Sequence, residues 1–205
     1  MNTLSSVSLN RTSPVSTDTT TAAAAAAIMR LPTALLPLAA ALVAAVDMAP
    51  YVPAAGVDAA FADFVEAYYL ASEDQFATTS FTDFWPADNT GVLVIAGRAF
   101  PGAASILGVK QSLLPPSGDK SWWHLIRGAA VEAETAADKT FVAEIVIQTT
   151  YVGGNCSQAY GDARFTVLKD EVGSARLKPQ SGSLSVYNLT LSTTDSPTDI
   201  PCSLS

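Results

Sequence analysis

Histidine occurs once in this chain of 205 residues, as His124, and cysteine twice, as Cys156 and Cys202. Two thiols and one imidazole make a poor ligand set for a zinc or related centre, so no metal is expected. Basic residues are also scarce. Eleven Lys and Arg stand against nineteen Asp and Glu, which gives a formal net charge of −8. A surface of that sign repels phosphate backbones, and no basic cluster offsets it, so nucleic acid is excluded as a partner. The chain has no Gly-x-Ser-x-Gly elbow for a hydrolase nucleophile and no Gly-x-x-x-x-Gly-Lys-Ser/Thr phosphate loop. The glycines of GVLVIAGRAFPG are not at dinucleotide-binding spacing, and no cofactor is expected.

What is present is a 49% hydrophobic chain, enough for one domain with its own core. Residues 1–28 are Ser/Thr-rich and then Ala-rich, without apolar periodicity, and read as a low-complexity extension outside the fold. Residues 29–46 follow with Arg30, an apolar run from Leu31 to Val46, and small residues at Ala44 and Ala45. That is the layout of a secretory signal peptide, with Met29 a second candidate start. The run is shorter than the ~20 residues of a membrane span and holds Pro32 and Pro37. The expectation is a secreted, extracellular protein with no membrane attachment after signal cleavage. In an oxidising compartment Cys156 and Cys202 are expected to pair and so tie down a Pro/Ser/Thr-rich tail. The sequons at Asn188 (NLT) and Asn155 (NCS) are candidate glycosylation sites, the second the poorer acceptor because a cysteine lies within it.

Residues 47–56 read as a linker, 57–191 as the folded domain and 192–205 as a tail. Phe61, Phe64, Val65, Tyr68 and Tyr69 recur at helical spacing, with Asp58 as the expected N-cap. A second short helix follows, capped by Thr79 or Ser80 and ended by Pro86. GVLVIAG reads as a brief buried strand, and the segment with Ile106, Leu107, Val109, Leu113 and Leu114 as a short helix. Four long segments rich in Val, Ile, Thr, Tyr and Phe then read as strands: SWWHLIRGAAVEAE, TFVAEIVIQTTYV, YGDARFTVLKD and SGSLSVYNLTLSTT. Helices first and consecutive strands second imply an α+β fold with helices on one face of a curved antiparallel sheet.

The order of these elements, together with FVEAYYLASEDQFATTSFTDFWPADNTGVLVIAG, AGRAFPGAASI and WWHLIRGAAVEAE, resembles the nuclear transport factor 2-like superfamily and its SnoaL-like domains. The final strand pair, ARFTVLKDE and SLSVYNLTL, is similar to the last hairpin of secreted fungal members. The resemblance covers residues 57–191. It implies a cone-shaped, cystatin-like roll whose mouth forms an apolar pocket. It also implies a functional range from dehydratases, isomerases and cyclases to plain binding modules.

Strand alternation puts Trp122, His124 and Ile126 on one face and Trp123, Leu125 and Arg127 on the other. Arg127 is assigned to solvent, so His124 is assigned to the helices. The resemblance places His124 where scytalone-dehydratase-like members carry a histidine that moves protons. The neighbouring strand here lacks the second histidine of those enzymes. Asp83 and Glu144 are the carboxylates expected to reach His124, and Tyr68 and Tyr69 the expected donors to an oxyanion. Three readings follow. The first is a binding domain for a small apolar molecule, with Tyr68, Tyr69, Trp85 and Trp122 in the pocket wall. The second is a lyase or isomerase that uses His124 as general acid and base. The third is a non-catalytic module that forms a homodimer through the open sheet face.

Overall fold

A computed structural model describes residues 46–194 and 200–202. The low-complexity extension and nearly all of the signal-like segment lie outside the described residues. The elements run β1 (Val52–Pro53), α1 (Phe61–Glu73), α2 (Thr79–Thr82), β2 (Val92–Ile95), β3 (Arg98–Pro101), α3 (Ala103–Leu113), β4 (Lys120–Glu134), β5 (Asp138–Tyr151), β6 (Cys156–Leu168) and β7 (Leu184–Thr194). The strands form one seven-stranded curved sheet in the order β1-β4-β5-β6-β7-β2-β3. The four long strands pair antiparallel, as their succession implies, while β1 joins β4 and β2 joins β7 in parallel.

The apolar stripe of α1 is what holds the helix on the sheet. Phe61, Phe64, Val65, Tyr68 and Tyr69 are all buried. Phe61 stacks on Phe141 of β5 at 4.3 Å between ring centroids. Phe165 of β6 meets Phe61, Phe64, Tyr68, Tyr69 and Tyr187, each near-perpendicular, the geometry aromatic quadrupoles favour. On the opposite face the sheet carries ion pairs such as Arg127–Glu144 (3.4 Å) and Arg164–Glu132 (2.9 Å).

Several local expectations are corrected. Asp58 does not cap α1: Ala60 precedes the helix without a side-chain cap. The Asp58 carboxylate instead accepts from Lys139 Nζ at 2.7 Å. Thr79 and Ser80 lie inside α2, with Thr78 before it. GVLVIAG is half of a hairpin, not a lone strand. Ala96 and Gly97, at φ 49° and 78°, turn β2 into β3, and positive φ at both central residues is what tight hairpin turns need. Within the stretch 47–56, expected as a linker, two points join the edge of the sheet. Asp47 N donates to His124 O at 2.8 Å, and Val52 pairs with Gly128.

The Cys156–Cys202 disulfide is present, with the two Cα atoms 5.7 Å apart across a sequence separation of 46. Cys156 opens β6 rather than sitting in the preceding turn. Gln158 Nε2 donates to Ile200 O at 2.9 Å, so the chain end is held by a hydrogen bond beside the bridge. In the chain-entropy account a crosslink of this span stabilises by on the order of 3–4 kcal/mol.

Gly161 sits where β6 presses closely on β7. A Cβ there would lie far inside contact distance of the Thr190 carbonyl oxygen and 3.0 Å from the Leu191 Cα. Both are backbone atoms, which cannot rotate away as a side chain does. Gly161→Ala is therefore expected to lower unfolding stability by about 1–3 kcal/mol, the usual cost of overpacking. Urea denaturation followed by tryptophan fluorescence measures it, and an unchanged midpoint would contradict the close approach.

Candidate functional site

Between α1, α3 and the inner face of the sheet lies a cavity of about 250 Å³. Its wall is mostly hydrocarbon: Leu93, Ile95, Trp122, Ile147 and Leu189 from the sheet, with Val109 and Leu113 from α3. The polar groups in the wall are few. They are His124, the tyrosines Tyr68, Tyr69 and Tyr187, Lys110, Ser72 and Thr149.

His124 is 1% exposed and faces the cavity, on the face that strand alternation assigns. Its partner is Glu73, the last residue of α1. One oxygen, Glu73 Oε1, accepts from the His124 backbone N at 2.8 Å and lies 3.0 Å from Nδ1. The backbone bond has a clear cause. On that edge of β4 Asp47 bonds the His124 carbonyl and the Ile126 N–H, and β1 pairs only further along, so the His124 N–H takes Glu73 as its acceptor. The ring bond sets the chemistry. In the neutral ring, a carboxylate facing Nδ1 favours the proton there and so leaves Nε2 with a lone pair. Nε2 makes no hydrogen bond among the described residues. The ring is fixed from its face by Tyr69, stacked at 4.3 Å, and from the side by Trp122 at 6.2 Å.

Tyr69 and Tyr187 point their hydroxyls at each other, 3.1 Å apart. Burial holds both phenols above their usual pKa, as it does that of Tyr68, and proximity to Tyr187 adds to the shift of Tyr69. Two protonated hydroxyls carry two protons and only one is used between them. The other is available to an oxygen in the cavity. Lys110 of α3 is 2% exposed, and its Nζ donates to the Asp74 carbonyl at 2.6 Å. Burial pulls its pKa below the ordinary lysine value, with the Asp74 charge acting in the opposite direction.

The structure gathers some of the expected residues and disperses others. Tyr68, Tyr69, Trp122 and His124 line the cavity together. Asp83 does not reach it: it is exposed at the C-terminal end of α2, where its carbonyl accepts from Gly182 N at 2.9 Å. Glu144 is on the outer face of β5, paired with Arg127. Trp85 is buried outside the wall, packed on Tyr68 and Phe81, with its indole Nε1 unbonded among the described residues. Asn155 is exposed in the turn before β6, whereas Asn188 is half-buried within β7 between β6 and β2. Glu73, Lys110 and Tyr187 were not expected. Glu73 had a signal, because it lies four residues after Tyr69 and so on the same helix face. Among the described residues, no group of three or more His, Cys, Asp or Glu side chains is placed to hold a metal.

No family model matches the sequence, and no curated protein does. Solved structures do. A proposed scytalone dehydratase from Novosphingobium aromaticivorans is 10% identical, with a TM-score of 0.52 over 69% of this chain and 89% of that one. A proposed aromatic ring hydroxylase from the same organism is 18% identical, with a TM-score of 0.51 over 66% of this chain and 91% of that one. At such identities the likeness is one of fold.

The buried phenols carry a pH signature. Their folded pKa lies above the unfolded value of ~10, so they contribute stability fully below that pH. The contribution is lost as pH rises, because the unfolded chain releases protons that the folded one retains. Near-ultraviolet absorbance titration should show Tyr68, Tyr69 and Tyr187 un-ionised until the protein unfolds in alkali. Ionisation of all six tyrosines in one step near the free value, with the fold intact, would contradict this burial.

Proposed function

We propose that this chain, which has the nuclear transport factor 2-like fold, takes a small, largely apolar molecule into its cavity and moves a proton on it with His124, as a lyase or isomerase. The cavity supports the binding half of this reading. At about 250 Å³ it lies just below the ~300–1,000 Å³ of typical small-molecule pockets, so the ligand is compact. One observation carries the catalytic half: Nδ1 is held by Glu73 at 3.0 Å while Nε2 has no partner among the described residues, on a ring that lines the cavity.

The chemistry follows from that arrangement. Nε2 takes a proton from a carbon next to a carbonyl; the C–H electron pair becomes the new C=C bond as the carbonyl π pair moves onto the oxygen. The spare hydroxyl proton of the Tyr69–Tyr187 pair donates a hydrogen bond to that oxygen as its charge grows. Glu73 stabilises the imidazolium so formed. Nε2–H then returns the proton, to another carbon in an isomerisation or to a departing group in an elimination. Each step conserves protons and electrons and draws on no outside reductant or oxidant.

The setting is also part of the proposal. A disulfide is stable in an oxidising compartment, and with the signal-like segment 29–46 it supports secretion. A glycan at Asn155 is compatible with the exposure of that residue.

Deuterium incorporation from heavy water into a panel of small enolisable aryl ketones, followed by mass spectrometry, tests the reading. The wild type is expected to exchange the α-hydrogens of at least one ketone on the order of 10²-fold faster than His124→Gln, with Glu73→Gln also slowed. Equal rates in wild type and His124→Gln across the panel would contradict it.

A further inference from the structure

The proton-transfer reading leaves Lys110 without a role. A side chain 2% exposed in a mostly hydrocarbon wall holds the cavity's single ammonium group. Among the described residues Nζ makes no ion pair. Its contacts are the Asp74 carbonyl oxygen at 2.6 Å and the face of Phe81, 5.5 Å from the ring centroid. The Asp74 carboxylate is turned to the Phe76 backbone N–H at 2.9 Å. An ammonium has three donors, and one is used here. Buried charges are ordinarily paired, because desolvation is costly and only a counter-charge offsets it in full.

The position of Lys110 explains how the charge survives without a direct ion pair: the Asp74 charge acts on it from nearby and offsets part of the cost of burial. Asp74 is the C-cap of α1, whose last turn contains no basic residue. Lys110 therefore supplies, from another helix, the cation that the negative end of α1 favours. That accounts for one donor and part of the charge. Lys110 lines the same cavity as His124.

We propose that the ligand of this cavity is a small apolar carboxylate, whose carboxylate group pairs with Lys110 while its hydrocarbon body lies against Trp122, Ile147 and Leu189. One buried cation matches one negative charge, which favours a carboxylate over a phosphate dianion. The net charge of −8 works against any anion, so selection for an acid over its neutral counterpart reports the local cation and not the field of the whole protein. The proposal names the substrate class of the proton-transfer reading and rests on the same cavity.

Titration calorimetry on the full chain with benzoate, trans-cinnamate and hexanoate, each against its primary amide, tests it. At least one acid is expected to bind about 10-fold or more tightly than its amide, as expected of a pair in a desolvated wall. Lys110→Met should remove that preference while leaving amide binding in place, and Lys110→Arg should keep it. Amides that match their acids in the wild type would overturn the proposal. So would the absence of saturable binding by all three acids, or a preference that persists in Lys110→Met. If Lys110→Met does not fold, the wild-type comparison of acid with amide still decides. Ketone exchange is read separately, on neutral aryl ketones and on their carboxylate-bearing counterparts such as 4-acetylbenzoate. Exchange without an acid preference overturns the carboxylate assignment alone, and an acid preference without exchange overturns the proton-transfer reading alone.

Discussion

The contact between Glu73 and His124 joins the C-terminal end of α1 to the edge of β4, and the cavity depends on it. A single carboxylate oxygen meets both the backbone N and the ring Nδ1 of one residue. The arrangement satisfies an edge N–H that the Asp47 bridge does not use, and in doing so orients the imidazole. The same contact sets the angle at which Tyr69 stacks on the ring. A carboxylate at the end of a helix faces the negative pole of the helix dipole, a position that costs helix stability. Its place is explained by what it holds, not by what it does for α1.

Residue 74 continues this role. Glu73 holds the imidazole through its side chain, and Asp74 holds Lys110 through its carbonyl. Two consecutive residues at one helix terminus thus fix the two basic groups of the cavity. Neither group is far from an apolar surface, so each interacts in a low-dielectric setting where a ligand charge or dipole is felt strongly. The Phe165 cluster beneath α1 keeps that terminus in place. Five aromatic rings meet Phe165, two of them the tyrosines Tyr69 and Tyr187 whose hydroxyls face each other. Core packing and site geometry therefore share side chains, and disturbing one disturbs the other.

The large elements were legible because their signals are local. The stripe from Phe61 to Tyr69 has helical period, and the β-branched runs of β4 to β7 have strand period. Alternation along WWHLIRG put His124 on the inner face, where it is. The partner of His124 was not legible, because a side-chain contact spanning 51 residues depends on how α1 crosses the sheet. Asp83 and Glu144 were nearer to hand in the element order, yet Glu144 shares the outer face with Arg127 and Asp83 ends a single helical turn in solvent. Lys110 was hidden for a different reason. A lysine at the polar end of an otherwise apolar helix reads as solvent-facing, and only the packing of α3 beside the C-terminal end of α1 buries it. Two prolines and a glycine made residues 47–56 read as a linker and hid the short β1 within them, where proline is tolerated because the strand is an edge.

The claim that most needs testing is that His124 presents an unprotonated Nε2 to the cavity. The chain contains one histidine, so selective ¹⁵N labelling of that residue type gives a spectrum with two ring nitrogens and no assignment problem. Long-range ¹H–¹⁵N correlation at alkaline pH, with the ring neutral, distinguishes the tautomers directly. The account predicts the Nδ1–H form, with Nε2 at the shift of a bare pyridine-type nitrogen, and a move toward the other tautomer when Glu73 is replaced by Gln. An Nε2–H tautomer in the wild type would contradict it.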